Sequence, residues 1–404
     1  MTSDPAARAG AILEIDLGAV VANWRVLAAK AAPAVCAAVV KADGYGLGAA
    51  PAARALRDAG CPMFFVATLD EGIVLRTALG PEPEIAVLNG PWPGTAAEFV
   101  AHALVPVLNH PGQIEAWARL PARPPRSHAS PTPSSPDLTR GSRDGRVKPG
   151  HDEKEGVRER GLFPAILHVD TGMSRLGLSA REFETLLEAP PAIAWRAVMS
   201  HLACADEPAH ALNADQRGRF AAVRARLPTV PASLAASSGI FLGPDYHFDL
   251  VRPGAALYGV NPRPGGGNPM RPVVRLAAKI LQIRQIDGGE SVGYGAAHVV
   301  RGPGRLATAA IGYADGWLRS FSHRGCGRIA GQRVPLVGRV SMDLASFDVT
   351  AIDPALARPG AAIELLGDEY GVDAAAADAG TIGYEILTAL GRRYYRVYRG
   401  PAAE

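Results

Sequence analysis

Val39-Val40-Lys41-Ala42-Asp43-Gly44-Tyr45-Gly46 is the stretch on which the reading of this 404-residue chain turns. An apolar run from Val35 to Val40 delivers a lysine at its end, and a loop with glycines around one tyrosine follows. A lysine at the mouth of a buried strand is partly desolvated, and desolvation favours the free amine over the ammonium. A free amine condenses with an aldehyde to form a Schiff base. Glycines let backbone N–H groups approach a ligand closely, and a tyrosine hydroxyl donates to an oxygen such as that of a phosphate. The plain alternative is a strand-end lysine reaching solvent, the usual place for a charged side chain.

Outward from this stretch, apolar strand-like runs recur at 34–40, 63–67, 85–88, 105–108, 165–169, 194–199, 232–235 and 248–251. Alanine- and arginine-rich segments between them, such as 49–59, 69–79 and 212–226, read as amphipathic helices. Ahead of the first run, Leu17, Val20, Val21, Trp24 and Leu27 recur at helical spacing behind Asp16, a good N-cap. Short apolar strands alternating with helices predict an α/β fold with a parallel sheet covered on both faces. Eight such units fit a closed, TIM-like (β/α)8 barrel of roughly 250 residues. The alternative, an open doubly wound sheet, lacks the supporting G-x-G-x-x-G after its first strand.

The texture changes after Tyr258-Gly259. A linker rich in proline and glycine (262–269) leads into short alternating runs at Val273–Ile286, Arg305–Ile311, Arg328–Val334, Ala345–Val349 and Ala362–Leu366, then a helical stretch at 381–390. The expected division is therefore a barrel over 1–260 and a mainly β C-terminal domain over 261–404. Residues 121–160 hold proline, serine, arginine and acidic residues with almost nothing apolar, and are expected to form a disordered insertion. His128 and His151 fall within it and are given no role.

The totals narrow the function. Hydrophobic content of 48% is ample for a packed core, and a net charge of +3 without a long basic stripe gives no reason to expect nucleic acid. Cys36, Cys61, Cys204 and Cys326 stand alone, which fits a reducing compartment and neither a disulfide framework nor a metal site. The N-terminus does not read as a secretory signal, and no apolar run approaches the ~20 residues that span a membrane. A soluble cytoplasmic protein is expected.

In a (β/α)8 barrel, functional groups sit at the carboxyl ends of the strands. Lys41 ends the first strand; Asp170 and Arg175 follow the fifth, His201 the sixth, Ser237 and Ser238 the seventh, and Arg252 the eighth. Singly, the histidine reads as structural, the serine as a helix cap and the arginine as an ion-pair partner. Together they place an amine, an imidazole, a guanidinium and phosphate donors on one rim, and the loops after strands seven and eight are a common phosphate site. A phosphate-bearing aldehyde that condenses with lysine is pyridoxal 5′-phosphate.

At this point the motifs are recognisable. AVVKADGYGLGA (38–49), HVDTGMSRLGL (168–178), MSHLACADE (199–207), VRPGAALYG (251–259), SVGYGA (291–296), IGYADGW (311–317), VGRVSMD (337–343) and GYEILTALGRRYYRVY (383–398) resemble the alanine racemase family in order and over both domains. The resemblance implies that Lys41 binds the cofactor and is one acid/base, and that Tyr294 is the opposite base, acting on the site of a partner subunit in a homodimer. It implies that Arg252 faces the pyridine nitrogen, that Tyr45, Ser237, Gly254 and Tyr395 hold the phosphate, that His201 packs against the ring, and that Arg175 supports its phenolic oxygen. Met342, through its backbone N–H, and Tyr313 would bind substrate, with Arg319, Arg339 and Asp206 lining the access corridor. The substrate implied is alanine, and D-alanine would feed peptidoglycan. A broad-specificity racemase, a basic-amino-acid decarboxylase and a non-catalytic carrier of the cofactor are the rival readings. Many relatives carry a carbamylated lysine where this chain has His168, which cannot form that stable carbamate.

Overall fold

In the computed structural model, which describes residues 4–121 and 162–400, the apolar runs become short parallel strands. The insertion expected at 121–160, beyond its first residue, lies outside the described residues, as do His128 and His151. Ala38–Val39, Met63–Val66, Glu84–Val87, Val105–Leu108, Pro164–His168, Ala194–Met199 and Ala232–Ser233 pair in chain order, all parallel. Leu250–Val251 pairs in parallel with Val35–Cys36, just ahead of Ala38–Val39. The ring closes beside Ala232–Ser233, where the Arg252 N–H donates to the Ala235 carbonyl at 2.9 Å. The strands are buried on both faces, as their continuous apolar sequence requires: all of Met63–Val66 is buried, and Phe64, Phe65 and Val66 are fully so.

Helices Ala49–Asp58, Leu69–Leu79 and Ala211–Arg226 lie where the sequence places them. Helix Leu17–Ala31 starts at Asp16, whose Oδ1 accepts the Ala19 N–H at 2.9 Å. The architecture is the expected (β/α)8 barrel followed by a mainly β domain.

The second domain is antiparallel. Gly304–Ala309, Ala345–Asp348, Gln332–Val337, Cys326–Ile329, Ala362–Leu366 and Val274–Ile286 neighbour one another in that order, and Val274–Ile286 pairs back onto Gly304–Ala309. One strand, 13 residues long, serves both ends of the ring by shifting register between Ile280 and Gln282. Two features differ from the sequence reading. Ala11–Asp16, counted above within the barrel, pairs antiparallel with Val274–Ile286 and parallel with Tyr395–Arg399. Its alternating burial suits a strand with one face on a core, and its partners lie hundreds of residues away, where no local pattern points. The run Arg328–Val334 is not one strand: Cys326–Ile329 and Gln332–Val337 form a hairpin that turns at Ala330-Gly331, both with positive φ.

Candidate active site

Lys41 leaves the barrel at the end of its strand, where the Val40 N–H still donates to the Phe65 carbonyl at 2.8 Å. The backbone then turns left-handed over Ala42 (φ 54°), Asp43 (51°), Gly44 (63°) and Tyr45 (55°). This conformation costs on the order of 1–2 kcal/mol for each residue with a Cβ, so surrounding contacts must hold it. They are present. Glu71 Oε1 accepts the Ala42 N–H at 2.8 Å, and Asp43 Oδ1 accepts the Ala49 N–H at 2.8 Å. From the second domain, Arg396 Nη1 donates to the Gly46 carbonyl at 2.8 Å and Tyr398 Oη to the Leu47 carbonyl at 3.0 Å. Gly48 must be glycine, since a Cβ there would meet Tyr398 Oη at 2.3 Å. The Lys41 amine is held below its ordinary pKa by burial first and by the Arg175 guanidinium second, against an upward pull from Glu71.

Across the rim lies Arg252, which is 3% exposed. One terminal nitrogen donates to Ser233 Oγ; the other donates to the Ser200 carbonyl at 2.8 Å and stands 3.5 Å from His201 Nδ1. Burial draws its pKa down to about 10, so the guanidinium stays charged at neutral pH. His201 is pushed down to about 3, by burial and then by Arg252, Arg175, His168 and Lys41, and is a neutral ring.

His168 is buried, and its Nδ1 lies 2.7 Å from Asn109 Oδ1. Asn109 Nδ2 already donates to the carbonyls of Leu88 (3.0 Å) and Val107 (3.1 Å), so Oδ1 is the acceptor and the histidine proton sits on Nδ1. Nε2 is left as a lone-pair acceptor with no hydrogen bond among the described residues. The following loop folds back over this ring: the Leu178 N–H donates to the His168 carbonyl at 2.8 Å, and a Cβ on Gly177 would stand 3.1 Å from His168 Cδ2. Asp170 shapes the loop by accepting the N–H groups of Gly172, Met173 and Ser174 at 2.8–2.9 Å. Arg175 rides on it, exposed. A neutral histidine anchored to Asn109 thus occupies position 168. Nothing in the sequence indicated Asn109.

Tyr45, Ser237 and Gly254 meet. A Cβ on Gly254 would lie 2.1 Å from Tyr45 Oη, so only glycine leaves room for that hydroxyl. Ser237 Oγ accepts the N–H groups of Gly254 (3.0 Å) and Ala256 (3.2 Å). Both its lone pairs are then used and its proton is free to donate outward. The Tyr45 ring packs against Tyr258 at 5.0 Å and Tyr384 at 6.0 Å between centroids.

Tyr395, expected in this cradle, is not there. It lies in strand Tyr395–Arg399, opposite Ile12, and Arg396 and Tyr398 of that strand face the Lys41 loop. Side chains alternate along a strand, so Tyr395 points to the other face. Tyr384, in the quoted GYEILT motif but given no role, stands in its place. Asp206, expected in the corridor, lies in the loop after the sixth strand, and its charge contributes to raising the Tyr384 hydroxyl, after burial.

Tyr294, Tyr313 and Met342 lie in the second domain and are 72%, 44% and 54% exposed. Tyr313 and Met342 are neighbours: the Tyr313 N–H donates to the Ser341 carbonyl at 3.0 Å, and the Ala314 N–H to the Met342 carbonyl at 2.9 Å. Arg339 packs on the Tyr294 turn, 2.9 Å from where a Cβ on Gly295 would stand. Arg319 opens the short turn Arg319–Phe321 and is exposed. Among the described residues, none of Tyr294, Tyr313 and Met342 makes a hydrogen bond or ring contact with the barrel rim.

Two family models match this chain: "Alanine racemase, N-terminal domain" over residues 15–262 and "Alanine racemase, C-terminal domain" over 273–398. The chain belongs to the alanine racemase family. It is 49% identical to the alanine racemase of Rhodospirillum rubrum over 397 residues, 97% of each chain. It is also 49% identical to the catabolic alanine racemase of Mesorhizobium japonicum, covering 98% of this chain and 94% of that one. The crystal structure of alanine racemase from Bartonella henselae with covalently bound pyridoxal phosphate superposes with a TM-score of 0.83 at 41% identity, covering 97% of this chain and all of that one. That of Pseudomonas aeruginosa, a biosynthetic alanine racemase, gives 0.80 at 30% identity. Alanine racemases are isomerases, and the site built above carries the constellation that led to the family from sequence.

Proposed function

We propose that this protein interconverts L-alanine and D-alanine using pyridoxal 5′-phosphate, as a homodimer in which each barrel is completed by the partner's second domain. The observation that carries the reading is the placing of the Lys41 amine, the buried Arg252 and the Tyr45–Ser237–Gly254 cradle on one barrel rim. The residues fit the cofactor. Tyr45, Ser237 and Tyr384 offer hydroxyl donors where a phosphate would sit, and the fit depends on Gly254, whose missing Cβ makes room for the Tyr45 hydroxyl. When bound, the cofactor supplies an aldehyde for the amino group and an electron-withdrawing ring that acidifies the Cα proton.

Racemisation takes a proton from one face of Cα and returns one to the other, so two proton-transfer groups must face each other. Lys41 Nζ serves one face, and its burial already favours the neutral amine that accepts a proton. Tyr294 Oη serves the other, from the partner subunit, which accounts for its exposure in a single chain. Arg252 keeps its own proton and would hold the cofactor from the side of its ring nitrogen, where it would leave that nitrogen unprotonated, temper the ring's electron-withdrawing power and so discourage side reactions such as transamination. Met342 and Tyr313 bind alanine beside Tyr294, and Arg319, Arg339 and Asp206 line the approach. D-alanine made in this way would supply cell-wall peptidoglycan; the Mesorhizobium relative is named catabolic.

Absorbance and polarimetry test the proposal. The purified protein should show a visible cofactor band and abolish the optical rotation of L-alanine. Lys41→Ala should lose the band and slow racemisation on the order of a thousandfold or more. A normal band with unchanged rotation would overturn the reading in favour of a cofactor carrier.

A further inference from the structure

The left-handed turn after Lys41 needs a restraint on the barrel side, and one side chain provides it. Glu71 lies in the first turn of helix Leu69–Leu79, which Thr68 caps by accepting the Glu71 N–H at 3.3 Å. Its Oε1 accepts the Ala42 N–H at 2.8 Å and its Oε2 accepts the Ala67 N–H at 2.7 Å. Ala42 is the first left-handed residue after the lysine. Ala67 follows strand Met63–Val66, the neighbour of the strand that delivers Lys41.

We propose that Glu71 is a positioning residue for Lys41: its carboxylate staples the amide after the lysine to the amide after the adjacent strand, and so fixes where the Lys41 amine stands. Three features support this. Both bonds join a charged acceptor to a backbone donor, the stronger kind of hydrogen bond. A backbone of αL residues bearing a Cβ relaxes toward ordinary conformations unless it is held, and a relaxed turn moves the amine. Glu71 also supplies the negative charge that opposes the burial of Lys41. The second domain restrains the far end of the same loop through Arg396 and Tyr398, so Glu71 holds the end nearest the amine.

The proposal concerns the reaction assigned above and rests on that assignment, but its main test does not. Glu71→Gln has the same shape and offers one acceptor oxygen; its amide nitrogen cannot accept the second N–H. Hydrogen exchange measured by mass spectrometry on the full-length protein should show segment 40–48 exchanging about tenfold faster in Glu71→Gln, with the other barrel strands unchanged. In racemisation assays kcat should fall on the order of tenfold to a hundredfold, while KM for alanine moves less than about twofold. Glu71→Asp, one methylene shorter and unable to span both amides, should resemble Glu71→Gln. Wild-type exchange at 40–48 in Glu71→Gln would overturn the proposal, as would an unchanged kcat in a wild type that racemises alanine. An inactive wild type would count against the functional assignment alone, and exchange would still decide the role of the staple.

Discussion

His168 is a buried titratable side chain whose proton is placed by one neighbour. Its proton is fixed on Nδ1 by Asn109, and burial followed by the charge of Arg252 brings its pKa down to about 4. Unfolded, the same imidazole takes up its proton near 6.5. Between those two values the unfolded chain binds more protons than the folded one, so stability is full above about pH 6.5 and is lost as the pH falls toward 4. His168 alone should account for on the order of 2 kcal/mol of lost stability between pH 7 and pH 5. Urea midpoints at the two pH values should therefore lie closer together in His168→Gln than in the wild type. Equal spacing would show that His168 takes up a second proton, on Nε2, as readily in the folded protein as in the unfolded chain, despite its burial and the charge of Arg252. His201, pressed lower still, acts in the same direction and remains in the variant.

At the level of elements, the barrel was legible because buried parallel strands are continuous apolar runs, and every one of these runs became a strand. The rim residues were legible for the same reason: a polar side chain directly after such a run lies at a strand's carboxyl end. Two kinds of information were missing. Pairing between Ala11–Asp16 and Val274–Ile286 joins segments with no local signal linking them, so the first strand seemed to belong with the barrel. The direction a side chain takes from a short C-terminal strand depends on register, and that misplaced Tyr395. Its strand presents Arg396 and Tyr398 to the Lys41 loop, while Tyr384 approaches Tyr45 from helix Gly383–Ala389. The two tyrosines give a direct comparison. Tyr384→Phe removes a hydroxyl from the proposed phosphate cradle and should weaken cofactor retention roughly tenfold, the value of one hydrogen bond to a charged group. Tyr395→Phe should leave retention unchanged. Equilibrium dialysis against pyridoxal 5′-phosphate, followed by the visible band, measures both, and a loss confined to Tyr395→Phe would restore the assignment made from sequence.

For the whole molecule, the question is why half of the proposed chemistry sits on an exposed face. The base role proposed for Tyr294 needs a site that excludes water, yet Tyr294 is 72% exposed and its neighbours Tyr313 and Met342 are about half so. The barrel rim, meanwhile, presents Lys41 with no hydrogen bond or ring contact from Tyr294, Tyr313 or Met342 of its own chain among the described residues. Two copies arranged so that each second domain covers the other's barrel mouth would satisfy both needs, because a twofold contact repeats the same pairing twice. Such an arrangement divides each active site between two chains, and that has a consequence no single-chain site shares. Lys41→Ala and Tyr294→Phe should each be nearly inactive alone. Unfolded together and refolded as a mixture, half of the dimers would contain one of each, and in these one site has both an intact Lys41 and an intact Tyr294 while the other has neither. Activity should return to about a quarter of the wild-type value. If both bases came from the same chain, every site in the mixture would still lack one of them, and refolding would recover nothing.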